Sequence, residues 1–238
     1  MSALSKEELI RYNRQMMMPE LGMKGQEKIN AAKVLVIGAG GLGCPALLYL
    51  SAAGVGTIGI IDFDVVELHN LHRQIIYSTD NVGKSKATTA SEKLKKLNPH
   101  INYLIFDEML NETSAEKIIS QFDIVVDGSD NFLTRYLVND TCVKLNRPIV
   151  YGSILNYEGQ IAVFNHEGGK HLRNLFPEPP NPEDVPNCDE NGVLGTLPGI
   201  IASMMAQETL KLILGMAVLK NQVLIFETKS WSLTKLNF

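Results

Sequence analysis

Lys33-Val-Leu-Val-Ile-Gly-Ala-Gly-Gly-Leu-Gly-Cys-Pro45 is a short apolar run that stops abruptly in glycines. A run of this kind reads as a strand buried on both faces of a parallel sheet, feeding a helix through a tight turn. Gly38, Gly40 and Gly43 stand at the G-x-G-x-x-G spacing. That spacing lets the chain turn sharply, brings bare backbone N–H groups against a phosphate, and packs the next helix close to the strand. The helix, Cys44 to Ala53, directs its N-terminal amides to the same place, and Pro45 suits a first helical turn. A nucleotide is the implied ligand; a packing turn that binds nothing is the competing reading. A second strand, Thr57 to Ile61, ends at Asp62, near the ~20-residue offset at which a carboxylate accepts ribose hydroxyls. A capping carboxylate is the alternative there.

Past Asp62 the pattern leaves the ordinary dinucleotide script. Asp64 is followed by His69-Asn70-Leu71-His72-Arg73-Gln74 and by Gly83-Lys84-Ser85-Lys86. A dinucleotide offers only a diester pyrophosphate, whereas a free triphosphate demands Arg, Lys and usually a metal. The cluster therefore points to ATP over NAD. In the bland alternative Asn70 and Arg73 tie down a loop, and Lys84 and Lys86 are a solvated helix start.

The chain has 238 residues and a net charge of −4, which suits one large α/β domain and argues against a general nucleic-acid binder. Cys44, Cys142 and Cys188 are an odd, scattered set, so a reducing compartment, the cytoplasm, is expected. The N-terminal residues lack the apolar core of an export signal. The apolar segment Leu197 to Leu219 contains Gln207, Glu208 and Lys211, so it reads as a buried or interface helix, with no membrane partner expected.

Ser5 and Glu8 form a capping box that opens a short helix carrying Leu9, Ile10, Tyr12 and Arg14, with Arg11 and Arg14 on one face. A second short helix lies within Pro19 to Ala32. Helices are expected over Lys86–Leu97, Ser114–Gln121, Phe132–Leu145 and Leu197–Leu214, and strands over Asn102–Phe106, Ile124–Asp127, Pro148–Ser153 and Gln160–Phe164. Asp130, just after the fourth strand, either caps the next helix or holds Mg²⁺. Asn165 to Asn191 is a long irregular segment rich in proline, and Gln222–Glu227 with Trp231–Leu236 closes the chain as a hairpin-like edge. The fold class is α/β: a Rossmann-like, mostly parallel sheet with helices on both faces, extended by antiparallel C-terminal strands. Its parts are N-terminal helices (1–32), a nucleotide-binding core (33–153), and a crossover loop with the antiparallel extension (154–238).

Taken in order, Arg11-Tyr-Asn-Arg-Gln15, Gly38-Ala-Gly-Gly-Leu-Gly43, Asp62-Phe-Asp64, Asn70-Leu-His-Arg-Gln74, Gly83-Lys-Ser-Lys86 and Asp130-Asn131 with Arg135 make the chain resemble the MoeB/ThiF/HesA family. These are sulfur-carrier-protein adenylyltransferases, bacterial relatives of ubiquitin-activating enzymes. The resemblance implies that Gly41, Asp62, Asn70, Arg73, Lys86, Asp130 and Asn131 bind ATP and its Mg²⁺. It also implies a homodimer in which Arg14 reaches the nucleotide of the other subunit. The partner it implies is a ubiquitin-like carrier ending in Gly-Gly, in molybdopterin or thiamine synthesis. Cys188 matches a cysteine that forms a covalent link to the carrier in some members; the acids beside it blunt a thiol. Most members bind zinc through two C-x-x-C pairs. Here His171-Leu-Arg-Asn174 takes the first pair's place, so zinc is not expected, and a separate sulfur donor is. A non-catalytic subunit of an activating heterodimer and an NAD-dependent oxidoreductase are the alternatives.

Overall fold

The computed structural model describes residues 4–180 and 192–238. The apolar runs form strands β1 (Lys33–Ile37), β2 (Thr57–Ile61), β3 (Asn102–Phe106), β4 (Ile124–Asp127), β5 (Ile149–Leu155), β6 (Glu158–Phe164), β7 (Gln222–Glu227) and β8 (Ser232–Asn237). They make one sheet in the order β3-β2-β1-β4-β5-β6-β7-β8. Neighbours are parallel from β3 to β5. They are antiparallel from β5 to β8. The switch is local: only Asn156 and Tyr157 separate β5 from β6, with Asn156 at φ +54°. A connection so short can close a hairpin but cannot carry a parallel crossover.

Helices α1 (Lys6–Arg11), α2 (Asn13–Met16), α3 (Gly22–Ala31), α4 (Gly43–Ala53), α5 (Lys86–Leu97), α6 (Glu112–Ile119), α7 (Phe132–Lys144), α8 (Leu172–Leu175) and α9 (Thr196–Leu214) surround the sheet. Side chains alternate across a strand, so β1 feeds two cores. Val34 and Val36 join Leu47, Leu50, Leu94, Ile201 and Met205 from α4, α5 and α9. Leu35 and Ile37 join Ile118, Ile119, Val138 and Cys142 from α6 and α7. The mixed sheet with helices on both faces is the expected class. Helix α9 is long and apolar enough to cross a bilayer by length and composition, but in this fold it lies on α4, β5 and β6.

Three local expectations are corrected. The N-terminal helix is two helices: α1 stops at Arg11 because Tyr12 is buried at φ −97°, ψ 6°, and its hydroxyl accepts from Asn98 Nδ2 at 2.8 Å. Arg11 Nη1 then donates to Leu97 O at 2.9 Å, while Arg14 is exposed on α2, so the two arginines do not share a helix face. Helix α6 begins at Glu112, ahead of the expected Ser114, because Asn111 Oδ1 accepts the amides of Thr113 and Ser114 at 3.0 and 3.1 Å. Within the expected irregular segment, α8 is one helical turn. Cys188, Pro182 and Pro186 lie outside the described residues.

Phe122 shows how tightly the sheet is covered. Its fully buried ring stands edge-on to Phe106, and a Cβ on Gly59 would come within 2.3 Å of it. Phe122→Ala should therefore lower the unfolding free energy by about 3–5 kcal/mol, the range for emptying an aromatic core site. Urea denaturation reads this directly, and a loss under about 1 kcal/mol would mean that the site collapses around the smaller side chain.

Candidate active site

The carboxyl ends of β1, β2 and β4 meet at the glycine turn. Gly38 has φ +83°, and a Cβ there would press on Gly128 O at 3.1 Å; a Cβ on Gly43 would lie 1.9 Å from Gly38 O. Three backbones thus touch with no side chain between them, which only glycine permits. Asp62 ties the turn to β2: Oδ2 accepts from Ala39 N at 2.7 Å and Oδ1 from Asp64 N at 2.8 Å. Burial pushes its carboxyl up, while those two amides and Lys86 pull it back. Each oxygen keeps a second lone pair for a ligand hydroxyl.

Of the two lysines, Lys86 departs from the solvated alternative. Lys86, the first residue of α5, is buried, and its Nζ lies 2.9 Å from Asp64 Oδ2. Lys84, by contrast, is exposed. Arg73 Nη1 donates to His69 O at 3.2 Å and contacts His72 Nε2 at 2.8 Å, and its Cδ lies 3.6 Å from where a Cβ on Gly41 would be. Asn70 is buried and holds the loop, its Oδ1 accepting from Glu67 N at 3.3 Å. Leu71 packs on the core, and buried Gln74 brings Nε2 to 3.7 Å from the Cβ position of Gly40. The start of α9 closes this side: Pro198 Cβ lies 3.5 Å from the Gly41 Cβ position. Nothing in the local sequence signals that contact, because it joins residues far apart in the chain.

The third wall follows β4. Asp130 is exposed there, but the cap of α7 is Asn131, whose Oδ1 accepts from Thr134 N at 2.9 Å. Capping therefore falls to the neighbour of the residue first considered for it. Arg135 is held in the interior. It is buried, its Nη2 donates to Ser129 O at 2.7 Å and Gly152 O at 3.1 Å, and its Nε lies 3.6 Å from Asp127 Oδ2. Its guanidinium covers the Tyr151 ring at 4.7 Å. Asp127 Oδ1 accepts from Ser129 N at 3.0 Å. Arg135, Asp127 and Tyr151 thus brace the loop that carries Asp130.

Arg14 is not brought to this cleft. Its neighbour Gln15 donates to Ala53 O at 2.8 Å, at the far end of α4, and an 11-residue helix is about 16 Å long. Arg14 accordingly stands toward the amino ends of the strands, opposite the glycine turn.

Residues 12–237 match the ThiF family. The chain belongs to the ThiF family. A sulfur carrier protein adenylyltransferase of Thermus thermophilus is 48% identical over 238 residues, covering 98% of this chain and 88% of the relative. The adenylyltransferase and sulfurtransferase MOCS3 of Xenopus laevis is 49% identical over 94% of this ThiF chain, which spans only 50% of that protein's length. The probable adenylyltransferase/sulfurtransferase MoeZ of Mycobacterium tuberculosis is 48% identical over 97% of the chain and 60% of its own length. Among solved structures, PaaA superposes with a TM-score of 0.84 at 22% identity, over all of this chain and 75% of PaaA. Escherichia coli MccB with ATP gives 0.82 at 21%, over 95% of this chain and 70% of MccB. At such identities these two establish the fold alone.

Helix α7 also holds the segment beginning at His171. Arg173 Nε and Nη2 reach the two oxygens of Asp140, each at 2.8 Å, and its guanidinium lies over Tyr136 at 4.8 Å. The Tyr136 hydroxyl faces the carbonyls of Phe176 and Glu178 at 2.9 and 2.8 Å. The guanidinium holds the Asp140 carboxyl below the usual carboxylate range. The folded state therefore gives up this proton more readily than the unfolded one. The pair stabilises the fold in full above about pH 4, and the stabilisation is lost as pH falls through the lowered value. Comparing the unfolding free energies of wild type and Asp140→Asn across pH should show a gap near neutrality that closes in acid; a gap independent of pH would deny Asp140 this role.

Proposed function

We propose that this chain is an adenylyltransferase that activates the C-terminal glycine carboxylate of a small ubiquitin-like sulfur-carrier protein, with ATP as second substrate. One observation carries the reading: the amides of Gly40 and Gly41, which meet no acceptor among the described residues, a carboxylate with ribose-ready lone pairs and the cations Lys86 and Arg73 meet at one end of the sheet. The 48% identity to a sulfur carrier protein adenylyltransferase over almost the whole chain supports it. An oxidoreductase using NAD leaves Lys86 and Arg73 without a purpose, since a dinucleotide has no terminal phosphate to neutralise.

A terminal carboxylate, with a pKa of ~3.5, is already ionised at neutral pH, so no general base is needed. The task is to bring one anion onto another. The carboxylate oxygen bonds to the α-phosphorus as the bond to the bridging oxygen breaks, and pyrophosphate leaves with that electron pair, giving an acyl-adenylate. Lys86 and Arg73 neutralise the triphosphate, the amides of the glycine turn bind phosphoryl oxygens, and Asp62 fixes the ribose. Asp130 serves Mg²⁺. Among the described residues no cluster of three or more His, Cys, Asp or Glu is placed to hold a metal, and one carboxylate suits an ion that keeps phosphate and water as its other ligands. Mg²⁺ held there would supply positive charge to offset the phosphates. The position of Arg14, remote from its own turn, supports a homodimer in which it serves the partner's pyrophosphate. The setting we propose is cytoplasmic molybdopterin or thiamine synthesis, with sulfur from a separate protein.

Lys86→Ala and Asp130→Ala should fold normally and lose carrier-dependent ATP–pyrophosphate exchange, each by on the order of 3 kcal/mol or roughly a hundredfold. Retained exchange removes that residue from the mechanism. Mixing Arg14→Ala with Lys86→Ala tests the dimer. Random exchange makes half the dimers mixed, each with one intact site of two, so about a quarter of wild-type activity should return. No recovery on mixing would count against a role for Arg14 across subunits.

A further inference from the structure

The glycine turn has a support that its sequence motif does not include. Tyr77, on the loop between β2 and α5, is buried, and its hydroxyl lies 2.9 Å from Ala39 O and 3.1 Å from Lys86 O. Ala39 is the middle residue of Gly38-Ala-Gly40, and Lys86 opens α5. One buried hydroxyl therefore sits between the two backbone segments that flank the proposed triphosphate. Cys44 Sγ also donates to Ala39 O, at 3.1 Å.

Peptide planarity turns this into an effect on the ligand side. The Ala39 carbonyl and the Gly40 N–H belong to one trans peptide unit and point in opposite directions. Holding the carbonyl inward against Tyr77 and Cys44 aims the Gly40 N–H outward. That amide meets no acceptor among the described residues, while the Gly40 carbonyl accepts from Cys44 N at 2.9 Å and starts the next helix. Burial pushes the Tyr77 phenol up and the Cys44 thiol up to about 12, so both groups keep their protons and act as donors at neutral pH. The thiol is the weaker donor, which leaves the phenol as the main restraint. A single proton cannot satisfy both carbonyls at once. Lys86 O also faces the helical amide one turn on, so the hydroxyl can give its proton to Ala39 at little cost.

We infer that Tyr77 is a positioning residue of the phosphate turn: its hydroxyl fixes the Ala39–Gly40 peptide so that the Gly40 N–H faces the triphosphate. This rests on the reading of the site as a triphosphate site. Tyr77 never touches the reacting atoms; it acts through Gly40.

The test uses ¹⁵N-labelled wild type, Tyr77→Phe and Tyr77→Leu, with the Gly40 amide followed while inorganic tripolyphosphate or adenosine is added. In wild type, tripolyphosphate should shift the Gly40 resonance and adenosine should leave it in place. In Tyr77→Phe, which keeps the ring, the tripolyphosphate midpoint should rise about tenfold with adenosine affinity unchanged, the scale of one lost hydrogen bond. The kcat of ATP–pyrophosphate exchange should fall by at least as much, because phosphoryl charge grows in the transition state. The inference is overturned if Tyr77→Phe matches wild type and only Tyr77→Leu falls, since the ring alone then matters. It is equally overturned if wild-type Gly40 ignores tripolyphosphate while exchange proceeds. A Gly40 response that depends on the Tyr77 hydroxyl, in a protein that activates no carrier, would uphold the inference and sink the proposed reaction instead.

Discussion

The approach of α4 to the end of β1 is the contact on which the rest depends. At Gly38, Gly43 and Gly128 the backbone lies flush against backbone, and a methyl group on Gly43 would fall well inside the radius of the Gly38 oxygen. Beside that contact, the amides of the half-buried Gly40 and Gly41 meet no acceptor among the described residues. An anion can then be held by groups whose positions are set by the sheet, with no long side chain to order on binding. Asp62 strengthens the arrangement by accepting from the turn and from its own strand's continuation, so β1 and β2 end in one hydrogen-bonded unit.

Around that backbone floor, charge is placed with its cost already met. Lys86 is almost wholly buried, and a buried ammonium without a partner would be strongly disfavoured. The half-exposed Asp64 supplies the partner. The ammonium is thus already stripped of most of its water and held in position. The Arg135–Asp127 pair serves a different end. It is buried beneath the loop bearing Asp130, and removing either member would leave an uncompensated charge in the interior. Its role is to hold that loop still.

The antiparallel half of the sheet and α9 complete the cleft from the side. Helix α9 crosses α4, β5 and β6, which brings Pro198 against the glycine turn and Gly195 against the His72 carbonyl. Residues 33–153 and the C-terminal extension therefore share one hydrophobic cluster, in which Leu47 and Leu50 meet Ile201 and Met205.

What could be read from the chain alone was whatever depends on near neighbours. The strand-glycine-helix passage, the carboxylate ending β2, the cation-rich loops and the alternation of β and α all follow from short-range periodicity and turn chemistry. The break at Tyr12 was not legible, because the partner that holds the tyrosine, Asn98, lies 86 positions away. The cap at Asn131 in place of Asp130 was decided by where the backbone turns from extended to helical, Asn131 standing at φ −126°, ψ 146°. The inward turn of Arg135 was decided by acceptors on two other strands. By itself the sequence determined that a nucleotide-type turn exists and which polar residues accompany it, since those are properties of consecutive residues. Only the tertiary structure decided which of those residues face the cleft, which brace it from behind and which stand at the far end of the sheet, since burial and hydrogen-bond partners are set by elements that meet only after folding.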